Sequence, residues 1–148
     1  MLFRSEMVGA TDVSEKGITA MLKRIDQKEN MFYYCIGTVG GGNHFVEVGV
    51  TPEGNYAFTV HCGSRNLGQK VWKYWKMKAC NQTGVTNGFL VEDAMKGYIT
   101  DMVVAQAYAE FNLRLSTVWS WKPSVKAVDG RPTSWSRSTP TTTISTSQ

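Results

Sequence analysis

This 148-residue chain has little histidine, little cysteine and no long apolar run. Its three cysteines are an odd number without Cys-x-x-Cys spacing, which argues against a disulfide framework and for a reducing compartment. No stretch reaches the roughly 18 apolar residues that a membrane helix needs, and the first residues lack the apolar segment of a secretory signal. We therefore predict a cytoplasmic protein with no membrane partner.

What the chain does have is an ordinary globular composition. Hydrophobic residues make up 42% of it, and its net charge is +4. The length suffices for one domain with a sizeable core. A mildly basic balance permits a polyanionic partner but does not require one.

The order of apolar and polar residues predicts an α+β fold, with a β-hairpin in a mixed sheet core and helices after it. The predicted elements are an amphipathic helix within residues 14–30, strands at 31–39, 44–50 and 56–62, and helices at 64–79 and 90–115. Pro52 and Gly54 suit the turn that joins the last two strands. For the helix at 64–79 the expected apolar face comprises Leu67, Val71, Trp72 and Trp75.

Three segments differ in character. Residues 1–32 form an N-terminal segment whose order the sequence leaves open, and 33–115 carry the patterned elements. Residues 116–148 are rich in serine and threonine, with little usable periodicity. Two interpretations of this tail stay open: intrinsic disorder, or a frameshift near Ser116 that replaced the native continuation.

The two histidines each sit beside glycines, in GGGNHFVE (40–47) and HCGSRNLG (61–68). His44 begins the first hairpin strand and His61 ends the second, so antiparallel pairing should bring the imidazoles together. Glycine lets a backbone approach a ligand, and imidazole binds metals or moves protons. The alternative for His44 is a surface histidine after a glycine turn.

The second motif precedes a predicted helix. Ser64 is placed to cap that helix, where backbone N–H groups favour an anion. Arg65 adds a planar cationic fork suited to phosphate, and its alternative role is pairing with a carboxylate. Cys62 should face away from His61 because neighbouring strand residues alternate.

Three segments together resemble the RtcB-type RNA ligases: GTVGGGNHFVEV (37–48), VHCGSRNLGQKV (60–71) and GYITDMVVAQAYAEFNLR (97–114). The resemblance implies a fragment of the larger RtcB-type fold. It also implies a ligase that joins RNA 2′,3′-cyclic phosphate or 3′-phosphate ends to 5′-hydroxyl ends with GTP and two manganese ions. Such ligation serves tRNA splicing and RNA repair, and guanylate is carried on a histidine.

The resemblance also assigns roles by position. His44 and His61 match manganese ligands, and Asn43 matches the residue that contacts the guanylate phosphate. Phe45 and Glu47 lie where the family lines its guanine pocket. Arg65, with Ser64 beside it, matches a residue that holds an RNA phosphate.

The chain departs from the family pattern in ways that bear on activity. Nothing before Gly37 matches the family's Asp-x-x-Cys-type ligand motif, and Gln69 stands where relatives often have histidine. No histidine follows His61, so the guanylate acceptor is missing. We predict the middle of a longer enzyme, inactive alone, whose missing segments another polypeptide would supply. The alternatives are a non-catalytic RNA- or nucleotide-binding fragment and an inactive gene remnant.

Overall fold

The computed structural model describes residues 2–124, and in that range the chain forms an α+β fold of five helices and one β-hairpin. The elements are α1 (Leu2–Thr11), α2 (Glu15–Arg24), α3 (Glu29–Tyr34), β1 (Phe45–Val50), β2 (Tyr56–His61), α4 (Leu67–Thr83) and α5 (Glu92–Ser124). The α+β class and the hairpin are confirmed.

The predicted N-terminal helix is α2, and its start is set by a serine cap. The Ser14 Oγ accepts a hydrogen bond from the Gly17 N–H at 3.2 Å, which satisfies one of the free donors of the first turn. Ile18, Met21 and Leu22 recur at helical spacing and are buried. Helix α1, which the sequence did not predict, places the fully buried Met7 against the same core.

The predicted strand at 31–39 is wrong, because this segment contains helix α3 followed by turns. Aromatic residues favour strands by packing on a pleated surface, and here helical neighbours supply that packing instead. The Phe32 ring lies 4.9 Å from the Tyr108 ring of α5, and the Tyr108 hydroxyl donates to the Phe32 carbonyl at 2.8 Å. Tertiary contacts therefore override the local strand preference.

The core lies among the helices. In α4 the buried residues are Leu67, Val71, Trp75 and Ala79, whereas Trp72 is 54% exposed, so its predicted place on the apolar face is wrong. In α5 the most deeply buried residues are Asp101, Val104, Ala105, Tyr108, Asn112 and Ser116. Burial therefore follows a stripe that includes polar side chains.

A partly buried ion pair and a tryptophan hydrogen bond connect three helices at Asp101. Arg24 of α2 donates to both oxygens of Asp101 in α5, at 3.1 and 2.6 Å. The Trp75 indole N–H of α4 donates to Asp101 Oδ2 at 2.7 Å. Hydrogen bonding to Asp101 raises the pKa of Arg24. The pair fixes how α2, α4 and α5 meet.

The hairpin lies against this helical body mainly through β2 and α5. Its antiparallel register pairs Phe45 with His61 and Val50 with Tyr56. Because side chains alternate along a strand, the even-numbered residues share one face. That face is apolar, comprising Val46, Val48, Val50, Tyr56, Phe58 and Val60.

Helix α5 continues past Ser116, the predicted start of the tail, and reaches Ser124. The rest of the predicted tail, 125–148, lies outside the described residues. Between residues 2 and 124, none of the helices combines the length and apolar character needed to cross a membrane.

Candidate functional site

The hairpin brings the two histidines together, as its strand pairing predicts. The ring centres of His44 and His61 are 5.7 Å apart, with the ring planes inclined by 34°. Phe45 stacks on the His61 ring at 5.5 Å and 11°, which fixes the orientation of that ring. Residues 17 positions apart in sequence thus form a side-by-side imidazole pair.

His44 leaves one ring nitrogen without a hydrogen-bond partner. Its Nδ1 is buried from solvent and bonds to no described residue. Gly40 lies next to it with φ of +101°, and a Cβ there would lie 2.9 Å from that nitrogen. A buried polar atom without a partner costs free energy, so a ligand at this nitrogen would remove a penalty.

Arg65 holds the glycine loop from the other side. Its Nε donates to the Thr38 hydroxyl at 3.0 Å, and its Nη1 donates to the Val39 carbonyl at 3.2 Å. These partners are a hydroxyl and a carbonyl, not the carboxylate of the alternative interpretation. Arg65 has a left-handed backbone with φ of 51°. Since a guanidinium has five N–H donors, the side chain keeps donors for an anion.

Asn112 of α5 joins the two histidine motifs, and the sequence did not single it out. Its Oδ1 accepts from the backbone N–H groups of Gly37 and Thr38, at 2.8 and 3.1 Å. Its Nδ2 donates to the carbonyls of Thr38 and Gly63, at 3.0 and 2.8 Å. The side chain is fully buried, and these four bonds use its whole hydrogen-bonding capacity.

A signal for Asn112 does exist in the sequence. It follows Tyr108 by four residues and precedes Ser116 by four, so it lies on the face of α5 that the structure buries. A polar residue on a buried helix face needs partners. Their identity could not be predicted, because they lie 49 to 75 residues away in sequence.

Ser64 supports the start of α4, as predicted. Its hydroxyl accepts from the Gly68 N–H at 2.9 Å, although the residue next to the helix is Asn66, whose side chain makes no cap bond. Asn66 has φ of 71°, so the chain turns through two left-handed residues between Ser64 and the helix. This turn directs Arg65 toward the glycine loop.

The other predicted site residues lie at the start of the hairpin. Asn43 is exposed in the turn before β1, and Glu47 is exposed and paired with Thr59. Glu47 shares a face with Phe45 and His61, since these positions have the same parity across the register. The structure therefore groups Phe45, Glu47 and His61 on one face, beside His44.

Cys62 faces α5, on the side of the strand away from His61. Burial raises the pKa of its thiol, and this effect exceeds the opposing influence of the neighbouring Ser116, Arg65 and Asn112. A thiol with a raised pKa is a poor nucleophile at neutral pH. The partial burial of Cys62 agrees with the prediction that it faces away from His61.

The two imidazoles could supply part of the ligands that a metal ion needs. Two metal–nitrogen bonds of about 2 Å each, with the two ring radii, span more than 5.7 Å, so both imidazoles can reach one ion. Among residues 2–124, no group of three or more histidine, cysteine, aspartate or glutamate side chains is placed to hold a metal. The described residues therefore bring two imidazoles beside the Arg65 guanidinium and a glycine loop.

Comparison with known proteins identifies the family. The model of the tRNA-splicing ligase RtcB family matches residues 7–131, so the chain belongs to that family. A relative is RNA-splicing ligase RtcB homolog 1 of Entamoeba dispar (strain ATCC PRA-260 / SAW760). The two are 30% identical over 91 residues, which cover 51% of this chain and 16% of the relative. No solved structure matches the chain.

The family match begins before the predicted fragment at 33–115 and ends after it. The chain nevertheless spans a small part of its curated relative. The predicted domain boundaries, and the choice between a disordered and a frameshifted tail, stay predictions.

Proposed function

We propose that this chain is the central part of a GTP- and manganese-dependent RNA ligase of the cytoplasm. Membership of the RtcB family supports ligase chemistry on RNA. The observation that carries the proposal is the histidine pair. The ring centres of His44 and His61 lie 5.7 Å apart, and the buried Nδ1 of His44 has no hydrogen-bond partner among the described residues. The substrates would be RNA 2′,3′-cyclic phosphate or 3′-phosphate ends and 5′-hydroxyl ends, as in tRNA splicing and RNA repair.

Each site residue has a proposed task that suits its surroundings. His44 and His61 would hold manganese, which when bound neutralises phosphate charge. Phe45 and Glu47 would line the guanine pocket and Asn43 would contact the guanylate phosphate. Arg65 and Ser64 would position an RNA phosphate. The bonds from Arg65 to Thr38 and Val39 support this role, because they hold the fork in place before a ligand arrives.

We propose that the chain alone does not join RNA. It has two histidines in all, and both are assigned to metal, so none remains to accept guanylate. Two protein ligands are also fewer than the three that catalytic metal sites usually have. The remaining ligands and the guanylate acceptor would come from segments outside these 148 residues.

The metal assignment can be tested directly, because just two imidazoles exist in the sequence. With 15N-labelled histidine, the purified chain should give two imidazole spin systems by NMR. Substoichiometric Mn²⁺ should broaden both, whereas diamagnetic Mg²⁺ should broaden neither. The variant His44→Ala should reduce broadening of the remaining His61 signal. A control variant, Asp93→Asn, alters an exposed carboxylate of α5 and should behave as the parent.

Two results would contradict the proposal. If Mn²⁺ leaves both signals sharp, or broadens His61 equally in His44→Ala, the pair is not a manganese site.

The inactivity of the chain is tested with GTP, Mn²⁺ and RNA carrying 3′-phosphate and 5′-hydroxyl ends. Joined RNA that disappears with His44→Ala would show that the chain ligates unaided.

A non-catalytic RNA- or nucleotide-binding role is the second candidate. The lack of a third metal-ligating side chain near the pair, among residues 2–124, favours it. This role predicts RNA binding without joining, and binding that weakens as salt rises.

A further inference from the structure

Helix α4 carries an unusual charge pattern away from the histidine pair. It has lysines at positions 70, 73, 76 and 78 and no acidic residue along its whole length. The Lys70 ammonium donates to the Asp26 carbonyl, and Lys78 lies over the Trp75 ring at 5.1 Å. Lys73 and Lys76 are exposed, which leaves a positive surface beside Trp72.

Trp72 is the centre of this surface. Its indole is 54% exposed, an uncommon state for so large an apolar group on a core-facing helix. The Lys76 ammonium lies over the ring, 4.8 Å from its centre, a contact that positions two neighbouring side chains. An aromatic ring has two faces, and Lys76 covers one of them.

Two clefts between α4 and α5 meet at Trp72. One has a volume of about 230 Å³ and is bordered by Ser64, Trp72 and Tyr98. The other, of about 360 Å³, is bordered by Trp72, Lys76 and Tyr98. Among residues 2–124, no carboxylate lines either cleft. The first cleft is bordered at one end by Ser64, which precedes Arg65 in the sequence, so a path along α4 from Trp72 leads toward the start of the helix, where Ser64 and Arg65 lie.

We propose that Trp72, Lys73 and Lys76, here called the Trp72 surface, bind single-stranded RNA that runs from the histidine site along α4. A base stacks on the uncovered face of Trp72, and the two lysines contact phosphates on either side. Stacking with cationic flanks is how proteins hold single strands without reading sequence. Charge complementarity favours a polyanion, and the indole favours one with unpaired bases. The choice of RNA over DNA rests on the proposed function.

The test measures fluorescence anisotropy of a short fluorescein-labelled oligouridine with the full chain. Trp72→Ala should weaken binding by about fivefold or more, the loss expected for one stacked base. The double variant Lys73→Gln, Lys76→Gln should lower the slope of log affinity against log salt by about 1.4, or roughly 0.7 for each single-strand phosphate contact. Its matched control, Lys16→Gln with Lys23→Gln, removes two exposed lysines of α2 and should leave the slope unchanged.

Three outcomes would overturn the proposal. In the first, Trp72→Ala binds oligouridine as tightly as the parent. In the second, the control double variant lowers the salt slope as much as the Lys73 and Lys76 double variant. In the third, duplex RNA binds as tightly as oligouridine, with no dependence on Trp72. Circular dichroism checks folding, and Trp72→Phe keeps an aromatic face and should retain most of the binding. If Mn²⁺ does not broaden the histidine NMR signals but oligouridine binding still depends on Trp72, the proposed ligase site is refuted and RNA binding by the Trp72 surface is supported.

Discussion

Asn112 is the residue on which the geometry of the site depends most directly. Asn112→Leu keeps the volume similar but leaves two backbone N–H groups and two carbonyls without partners. We expect the free energy of unfolding to fall by about 2–4 kcal/mol, because buried unsatisfied groups are expensive. Urea titration followed by circular dichroism measures this. Asn81→Leu, on the exposed side of α4, should change stability by about 0.5 kcal/mol or less. Equal losses of stability in the two variants would show that the four hydrogen bonds of Asn112 do not stabilise the loops.

Gly40 and Gly41 make a matched pair for testing the loop beside His44. Gly40 has φ of +101°, and a Cβ there would overlap the Arg65 guanidinium. At Gly41 a Cβ would meet nothing within 4 Å. Gly40→Ala should therefore destabilise the chain by about 1–3 kcal/mol through backbone strain alone, and should displace Arg65. Thermal unfolding and the His44 NMR signal report both effects. If Gly41→Ala did the same, the loop would not have this conformation.

The pairing of His44 with His61 could be predicted from sequence, and the contacts around them could not. A hairpin turn of defined length fixes which strand residues meet, so two histidines at the strand ends must be neighbours. Arg65 meets Thr38 across 27 residues of sequence, and Asn112 meets Gly63 across 49. Such contacts depend on the whole fold, and no local pattern encodes them.

Among the elements, the ion pair between α2 and α5 should matter more than any surface pair. Asp101 is 1% exposed and Arg24 30% exposed, and Trp75 shares the carboxylate. Asp101→Asn removes the charge and one acceptor oxygen, so we expect about 2–3 kcal/mol lower stability. Asp93→Asn, whose partner Lys96 is 3.4 Å away in solvent, should cost about 0.5 kcal/mol or less. Chemical denaturation compares the two, and similar losses would contradict a structural role for Asp101.

Helical periodicity predicted helices α2, α4 and α5. The prediction was wrong for the segment of α3 and for the burial of Trp72, because tertiary packing determines both. The segment of α3 has the aromatic composition of a strand, but Phe32 packs among the aromatic side chains of α1 and α5. Trp72 has the spacing of a core residue, yet it lies at the edge of the buried stripe. Composition indicates that Phe32 and Trp72 favour apolar neighbours. Whether such neighbours are present depends on how the surrounding helices pack.

At the scale of the whole molecule, residues 2–124 divide into a helical body with a buried core and an exposed hairpin. The helices share one apolar core that runs from Met7 to Tyr108. The hairpin contributes no residue to that core, and Val48 on its apolar face is 58% exposed. The side chains of the proposed site therefore lie on or beside a poorly buried hairpin, next to loops that Asn112 and Arg65 hold in place.

This division predicts the order in which the structure opens. A two-stranded sheet is marginal by itself, and regions with few buried apolar contacts open at low free energy. Amide hydrogen exchange followed by mass spectrometry should show residues 45–61 exchanging well before residues 98–112. Val104→Ala, at a fully buried site, should speed exchange throughout the helices, whereas Val48→Ala should affect the hairpin at most. Should the hairpin exchange as slowly as α5 in the parent chain, its apolar face would be covered in solution.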